Sequence, residues 1–270
     1  MAWEFTPSSS PSPDRQDRDG IADGRPGARH RGDPGPSPVG RAQVLDAIGG
    51  PSLRMYYQPL VDLGSARVVA YEALARFTGH PDVPPDAWFR RARGFGLQER
   101  LELEAARRGL RALDDLRESV SVCVNLSGVG AMSPALGEIL DGVPLERVVL
   151  ELTEQEEIGD YLALNRSILR WRADGMRLAV DDAGAGFASM RHIVSLQPDI
   201  IKLDATWVTD IEADPVRRAM VAALATFATS IDAVMVGEAV ETQVQADVLQ
   251  DIGVPWAQGY HFARPAPLPA

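Results

Sequence analysis

The chain has 270 residues, one cysteine (Cys123) and a formal net charge of −11. That length suits one large domain or two small ones, and a lone thiol excludes an internal disulfide and fits a reducing cytoplasm. The acidity excludes the basic face that a nucleic-acid polymer or an anionic membrane selects, and the longest uncharged apolar stretch, residues 219–231, is too short to cross a bilayer.

Residues 1–41 are rich in Pro, Gly and Ser, carry balanced charge and show no apolar period. They are expected to form a disordered tail. Residues 42–270 read as one domain. Its expected strands, in order, are MYYQP (55–59), VVAYEAL (68–74), VSVCVN (120–125), VVLEL (148–152), RLAVD (177–181), IIKLD (200–204), VMVGE (234–238) and a last one around QGYHF (258–262). The clearest helical stretches are 99–117, 160–173, 216–230 and 243–252. In the first of them Leu103, Ala106, Leu110 and Leu113 form an apolar face, and Glu104, Arg107, Arg108 and Arg111 a charged one. Sustained strand–helix alternation predicts a parallel sheet, and about eight strands predict closure into an α/β barrel of the TIM type, (β/α)8. A turn at Leu63-Gly64-Ser65 joins the first two strands as a hairpin, so one antiparallel strand is expected near the start.

Most expected strands carry a polar residue at or near the C-terminal end: Glu72, Asn125, Glu151, Asp181 with Asp182, Lys202 and Glu238, with Gln258 in the last strand region. In such a barrel these ends converge on one face, where catalytic groups sit. A single Glu there is ordinarily a cap or rim residue, and a DD pair a turn or helix start. Coincidence at so many strand ends is much harder to accept. Crowded carboxylates repel unless neutralised, and hard divalent cations with oxygen ligands do this. The set Glu72, Asn125, Glu151, Asp181 and Asp182 has the chemistry to hold a pair of Mg²⁺ or Mn²⁺ ions, with Asp181 as the bridging carboxylate. Of 27 Lys and Arg residues, Lys202 is the only lysine. It stands in an apolar strand among acids, where a compact ammonium suits a metal-bound water or a phosphate oxygen better than a guanidinium does. Cys123 is expected to be buried packing. The GAG at 184–186 lacks a dinucleotide loop's third glycine, and the four histidines lack metal-ligand spacing.

Several segments in order, YYQPLVDL, YEALARF, VNLS, ELTE, VDDAGAGFASM, DIIKLD, GEAVETQ and QGYHFARP, resemble the EAL-domain cyclic di-GMP phosphodiesterases over about residues 50–267. The resemblance implies cleavage of cyclic di-GMP to linear pGpG by a two-metal mechanism. It matches Glu72, Asn125, Glu151, Asp181 and Asp182 to metal ligands and Lys202 to the lysine beside the attacking water. It matches Glu238 and Gln258 to groups near the water and metals, Glu154 to a residue steadying the loop after the DD pair, and Gln58, Leu74 and Arg76 to substrate contacts. Two departures stand out. The loop reads DDAGAGFAS where DDFGTGYSS is usual, so Ala183 replaces an aromatic, Ala185 a threonine and Phe187 a tyrosine, and the smaller Ala183 and Ala185 imply a weak homodimer. GEAVET replaces AEGVET, moving the glycine from 239 to 237. The alternatives are a weak or inactive EAL-type cyclic di-GMP receptor, and an interaction module that binds no nucleotide. The retained ligands argue against the first, and Gln58, Leu74 and Arg76 against the second. The protein is expected in the cytoplasm, with no membrane partner.

Overall fold

A computed structural model describes residues 39–152, 158–183 and 187–268, with the side chains of Asp182 and residues 187–189 outside that description. The expected tail lies outside it, save residues 39–41. Helix α1 (Arg41–Gly49) leads into a hairpin of β1 (Leu53–Asp62) and β2 (Arg67–Phe77). Asp62 closes the turn by accepting the Ser65 N–H and hydroxyl, each at 2.7 Å, as a short acid at a turn start does. Then follow α2 (Pro85–Gly94), α3 (Gln98–Leu110), β3 (Ser121–Leu126), α4 (Gly128–Met132), α5 (Ala135–Leu140), β4 (Val148–Leu152) and α6 (Tyr161–Ala173). The chain continues through β5 (Arg177–Ala183), α7 (Phe187–Leu196), β6 (Ile200–Leu203), α8 (Ala205–Val208), α9 (Pro215–Ser230), β7 (Val234–Gly237), α10 (Gln243–Asp251) and β8 (Trp256–Ala257).

The strands close into a barrel in chain order, β1 to β8. β1 runs antiparallel to both β2 and β8, and the remaining neighbours are parallel, as the hairpin and the strand–helix alternation predict. Short acids and a threonine start the helices. Asp160, Asp204 and Asp214 accept backbone N–H groups at α6, α8 and α9, and Thr242 with Gln245 forms a reciprocal cap at α10.

Side-chain alternation in the strands produces two layers. Val122, Val124, Leu150, Leu152, Leu178, Val180 and Ile201 pack outward under the helices. Leu60, Ala70, Cys123, Val149, Ala179, Ile200 and Val236 form a separate apolar plug inside the barrel. Cys123 is therefore packing, as expected, and burial raises its thiol pKa well above the ordinary value. On α3, Leu103, Ala106 and Leu110 are buried, while Arg107 and Arg108 both hydrogen-bond Glu104. Among the described residues no helix is long and apolar enough to cross a membrane.

Two local expectations are corrected. The helix expected to reach residue 117 ends at Leu110 and tightens into a 3₁₀ turn, Arg111–Asp114. The last strand is Trp256–Ala257 rather than 258–262; beyond it the backbone bonds to Val240 instead, whose N–H donates to the Gln258 carbonyl at 3.0 Å and whose carbonyl accepts the His261 N–H at 2.9 Å, so closely that a side chain on Gly259 would sit 2.1 Å from the Val240 carbonyl oxygen. Ala183 is buried at the end of β5, opposite Leu203. Residues 184–186 of the same loop lie outside the described residues.

Candidate functional site

The plug explains the site. Because successive side chains alternate, the residue two positions beyond each plug residue, toward the catalytic end, also faces the interior. Those positions are Gln58 on β1, Glu72 on β2, Asn125 on β3, Glu151 on β4, Asp181 on β5, Lys202 on β6 and Glu238 just past β7. Gln258 stands in the same relation to Trp256, which packs against the plug. Each strand thus contributes one polar side chain above an apolar floor, the layered arrangement of barrel interiors.

The geometry ties them together. Lys202 is 1% exposed, and its Nζ lies 2.6 Å from both Glu151 Oε1 and Glu238 Oε1, 3.4 Å from Glu72 Oε2 and 3.6 Å from Asp181 Oδ1. Asn125 Nδ2 donates to Glu72 Oε1 at 2.9 Å, and Gln258 Nε2 donates to Glu72 Oε2 at 2.7 Å and to Gln58 Oε1 at 3.1 Å. Gln58 in turn donates to the Ala263 carbonyl at 3.0 Å. Four carboxylates therefore surround one ammonium. Burial, and then repulsion from Glu72, pushes the Glu151 pKa well above the carboxylate range. Burial also holds Glu238 up, at about 8, with Asp181 and Glu72 adding to it against the pull of Lys202. Burial opposes the Lys202 charge, but Asp181, Glu151, Glu238 and Glu72 outweigh it and raise its pKa well above the usual lysine value.

This donor set suits divalent cations in type and charge: oxygen ligands, an excess of negative charge, and a buried Glu151 Oε2 without a hydrogen-bond partner. Among the described residues no group of three or more His, Cys, Asp and Glu side chains is already arranged to hold a metal ion. The Lys202 ammonium holds the carboxylates together instead. The Asp182 side chain and Glu154 lie outside the described residues.

Two clefts meet at this cluster. The first, about 300 Å³, is lined by Glu72, Leu74, Arg76, Asn125 and Asp181 and extends to Phe89 and Arg93 on α2. The second, about 340 Å³, is lined by Gln58, Glu72, Leu74, Glu238, Gln258 and Tyr260. Glu72 and Leu74 border both, so the expected substrate-contact positions fall along one continuous opening. Arg76 Nη1 donates to its neighbour's carbonyl at 2.8 Å, and the guanidinium lies 5.7 Å from the Tyr56 ring centre, so it is held at the rim rather than among the acids. The sequence reading missed Glu102, Ser127, Phe89, Arg93 and Tyr260. One signal was available for Glu102: an acid in register with Ala105, Ala106 and Gly109 on the buried face of a helix.

The departure at 237–239 has a local account. Ala239 has φ of +52°, a left-handed conformation that glycine adopts freely and alanine does not. At Gly237 a Cβ would lie 2.7 Å from Leu249 Cδ1, so the glycine makes room for that leucine.

The EAL domain family model matches residues 41–265. An uncharacterized signaling protein of Caulobacter vibrioides is 32% identical over 236 residues, covering 84% of this chain and 29% of that protein. The cyclic di-GMP phosphodiesterase RocR of Pseudomonas aeruginosa is 29% identical over 238 residues, covering 84% of this chain and 60% of RocR. This chain thus spans less than two thirds of either relative. A calcium and cyclic di-GMP complex of Klebsiella pneumoniae BlrP1 superposes with a TM-score of 0.71 at 29% identity, covering 81% of this chain and 57% of that one. With its closed barrel and this family match, the chain belongs to the EAL domain family.

Proposed function

We propose that this chain hydrolyses cyclic di-GMP to linear pGpG. The observation that carries the reading is the convergence of Glu72, Asn125, Glu151, Asp181, Glu238 and Gln258 around the buried Lys202, where two clefts meet. The name of RocR and the cyclic di-GMP held by BlrP1 support the substrate class. Glu72, Asn125, Glu151, Asp181 and Asp182 would hold two divalent cations, Mg²⁺ or Mn²⁺. When bound, such ions lower the pKa of water and offset charge on the phosphate.

The protein's own groups do the rest. Lys202 brings its positive charge to the centre of the acid cluster and orients the carboxylates of Glu151 and Glu238. Glu238, whose Oε1 lies 2.6 Å from Lys202 Nζ, would position an attacking water together with that lysine. Gln258 ties Glu72 to Gln58 by donating to both. Gln58, Leu74 and Arg76 line the route by which an extended dinucleotide would lie across both clefts, with Arg76 offsetting phosphate charge. Glu154 belongs to the same reading as the residue steadying the loop after Asp182. So do a cytoplasmic location and a weak, concentration-dependent homodimer. The test is incubation of the purified chain with cyclic di-GMP and Mn²⁺ or Mg²⁺, followed by chromatography. pGpG that forms only with metal supports the reading, and unchanged cyclic di-GMP rejects it.

A further inference from the structure

Helix α3 turns an acid into the protein interior where packing alone would select an apolar side chain. Glu102 is 7% exposed and stands beside the fully buried Leu101. Its carboxylate is engaged on both oxygens. Oε2 accepts the Ser127 backbone N–H at 3.1 Å and the Ser127 hydroxyl at 2.7 Å, and Oε1 accepts from Gln98 Nε2 at 2.8 Å. Burying a carboxylate is costly unless several donors meet it, and here at least three do. Ser127 Oγ accepts the Gly130 N–H at 3.2 Å and so starts α4. On the other side Gln98 Oε1 accepts from Arg93 Nε at 2.9 Å. A hydrogen-bonded path therefore runs from the last turn of α2, across α3, to the residue two beyond Asn125.

A second, independent feature preserves this path. A Cβ on Gly130 would lie 2.6 Å from Glu102 Oε2 and 3.2 Å from Leu126 Cδ2. A Cβ at 130 would crowd the carboxylate where it reaches Ser127. Glu102, Ser127 and Arg93 line the same cleft as Glu72 and Asn125.

We propose that Glu102 is a positioning residue for the candidate metal site, holding Ser127 and with it the end of β3, from which Asn125 meets Glu72. This rests on the reading of Asn125 and Glu72 as metal ligands. Partners one step behind metal ligands are worth about 10–100-fold in affinity or activity when removed.

The experiment measures Mn²⁺ binding by calorimetry, and kcat and KM for cyclic di-GMP, in the parent, Glu102→Ala, Glu102→Gln and Gly130→Ala. Thermal unfolding of the metal-free proteins runs alongside. Glu102→Ala and Gly130→Ala are expected to weaken Mn²⁺ binding and lower kcat about tenfold or more, with KM within about threefold. Glu102→Gln keeps an oxygen for Ser127 and is expected to recover most of the loss. Gly130→Ala alters no hydrogen-bonding side chain, so its matching defect separates positioning from chemistry, and it decides the matter if Glu102→Ala does not fold. Parental Mn²⁺ binding in a folded Gly130→Ala or Glu102→Ala overturns the proposal, as does a Glu102→Gln no better than alanine. A parent that binds Mn²⁺ without producing pGpG rejects the proposed activity alone, and the metal calorimetry still decides the role of Glu102. A parent that binds no Mn²⁺ rejects both.

Discussion

Removing the ammonium at the centre of the site should destabilise the metal-free protein by an amount that depends on pH. Lys202→Met keeps a long, flexible apolar stem in a position 1% exposed, so the change is nearly pure loss of charge. The two carboxylates at 2.6 Å, Glu151 and Glu238, and those of Glu72 and Asp181 at 3.4 and 3.6 Å then lose their shared cation. Removing one partner of a buried ion pair costs about 3–5 kcal/mol. An unfolding entropy of about 2.1 cal/mol/K per residue amounts to about 0.5 kcal/mol/K for a domain of about 230 residues, so 4 kcal/mol corresponds to about 8 °C in Tm. Protonation offers a partial escape. Glu151 is raised well above its ordinary value and Glu238 to about 8 even with Lys202 present, so at lower pH both carboxylates take up protons and the cost shrinks. Thermal unfolding of parent and variant in chelator should therefore show a drop of about 6–10 °C at pH 8 and a clearly smaller one at pH 6. Equal melting temperatures at pH 8, or a larger deficit at pH 6, would refute the picture of a lysine balancing ionised acids.

The parent itself should respond to pH in the same sense. Glu151 and Glu238 have folded-state pKa values above the unfolded value of 4.5, so the folded protein binds more protons and its metal-free stability falls as pH rises from about 4.5 toward 8. Mn²⁺ bound at the proposed site would replace those protons, so its gain in Tm should be greater at pH 8 than at pH 6; a metal-free Tm that climbs across this window contradicts the assignment. Glu72→Ala, which removes the acceptor of both Asn125 and Gln258, should lower turnover by about a hundredfold or more, roughly 2.7 kcal/mol in barrier. Parental pGpG formation across a range of Mn²⁺ would sink the metal site as drawn here. Ala239→Gly relieves a residue held at φ +52° and should stabilise by about 0.5–1 kcal/mol, read as a rise of about 1–2 °C. Gly237→Ala drives a Cβ to 2.7 Å from Leu249 and should lower Tm, and an unchanged Tm in both variants would mean that the exchange of glycine and alanine is without local cost.

Much of the architecture is written locally. Apolar runs of strand length, separated by amphipathic stretches, specify parallel β-α units, and the turn at Leu63-Gly64-Ser65 specifies the antiparallel start. Most of the polar residues from Glu72 to Glu238 are legible too, because period-two alternation is a property of the chain itself, although Glu72 stands in the middle of β2 rather than at its end and Gln58 is reached only through the family resemblance. The tertiary structure decided what depends on distant partners. Lys202 meets Glu72 across 130 residues of sequence, and no local pattern sets the distances that make Glu238 a carboxylate near pH 8. Past Ala257 the chain bonds to the backbone of Val240, earlier in the sequence, instead of extending the last strand. The sequence places Glu102 on the apolar face of its helix but does not say what it meets there; closure of the barrel brings Ser127 and Gly130 against it. The amino-acid sequence determined which groups are available and the face on which each would stand. Only packing decided which of them touch, because contact energies between charges and donors change steeply over an ångström, and that distance is a property of the closed barrel.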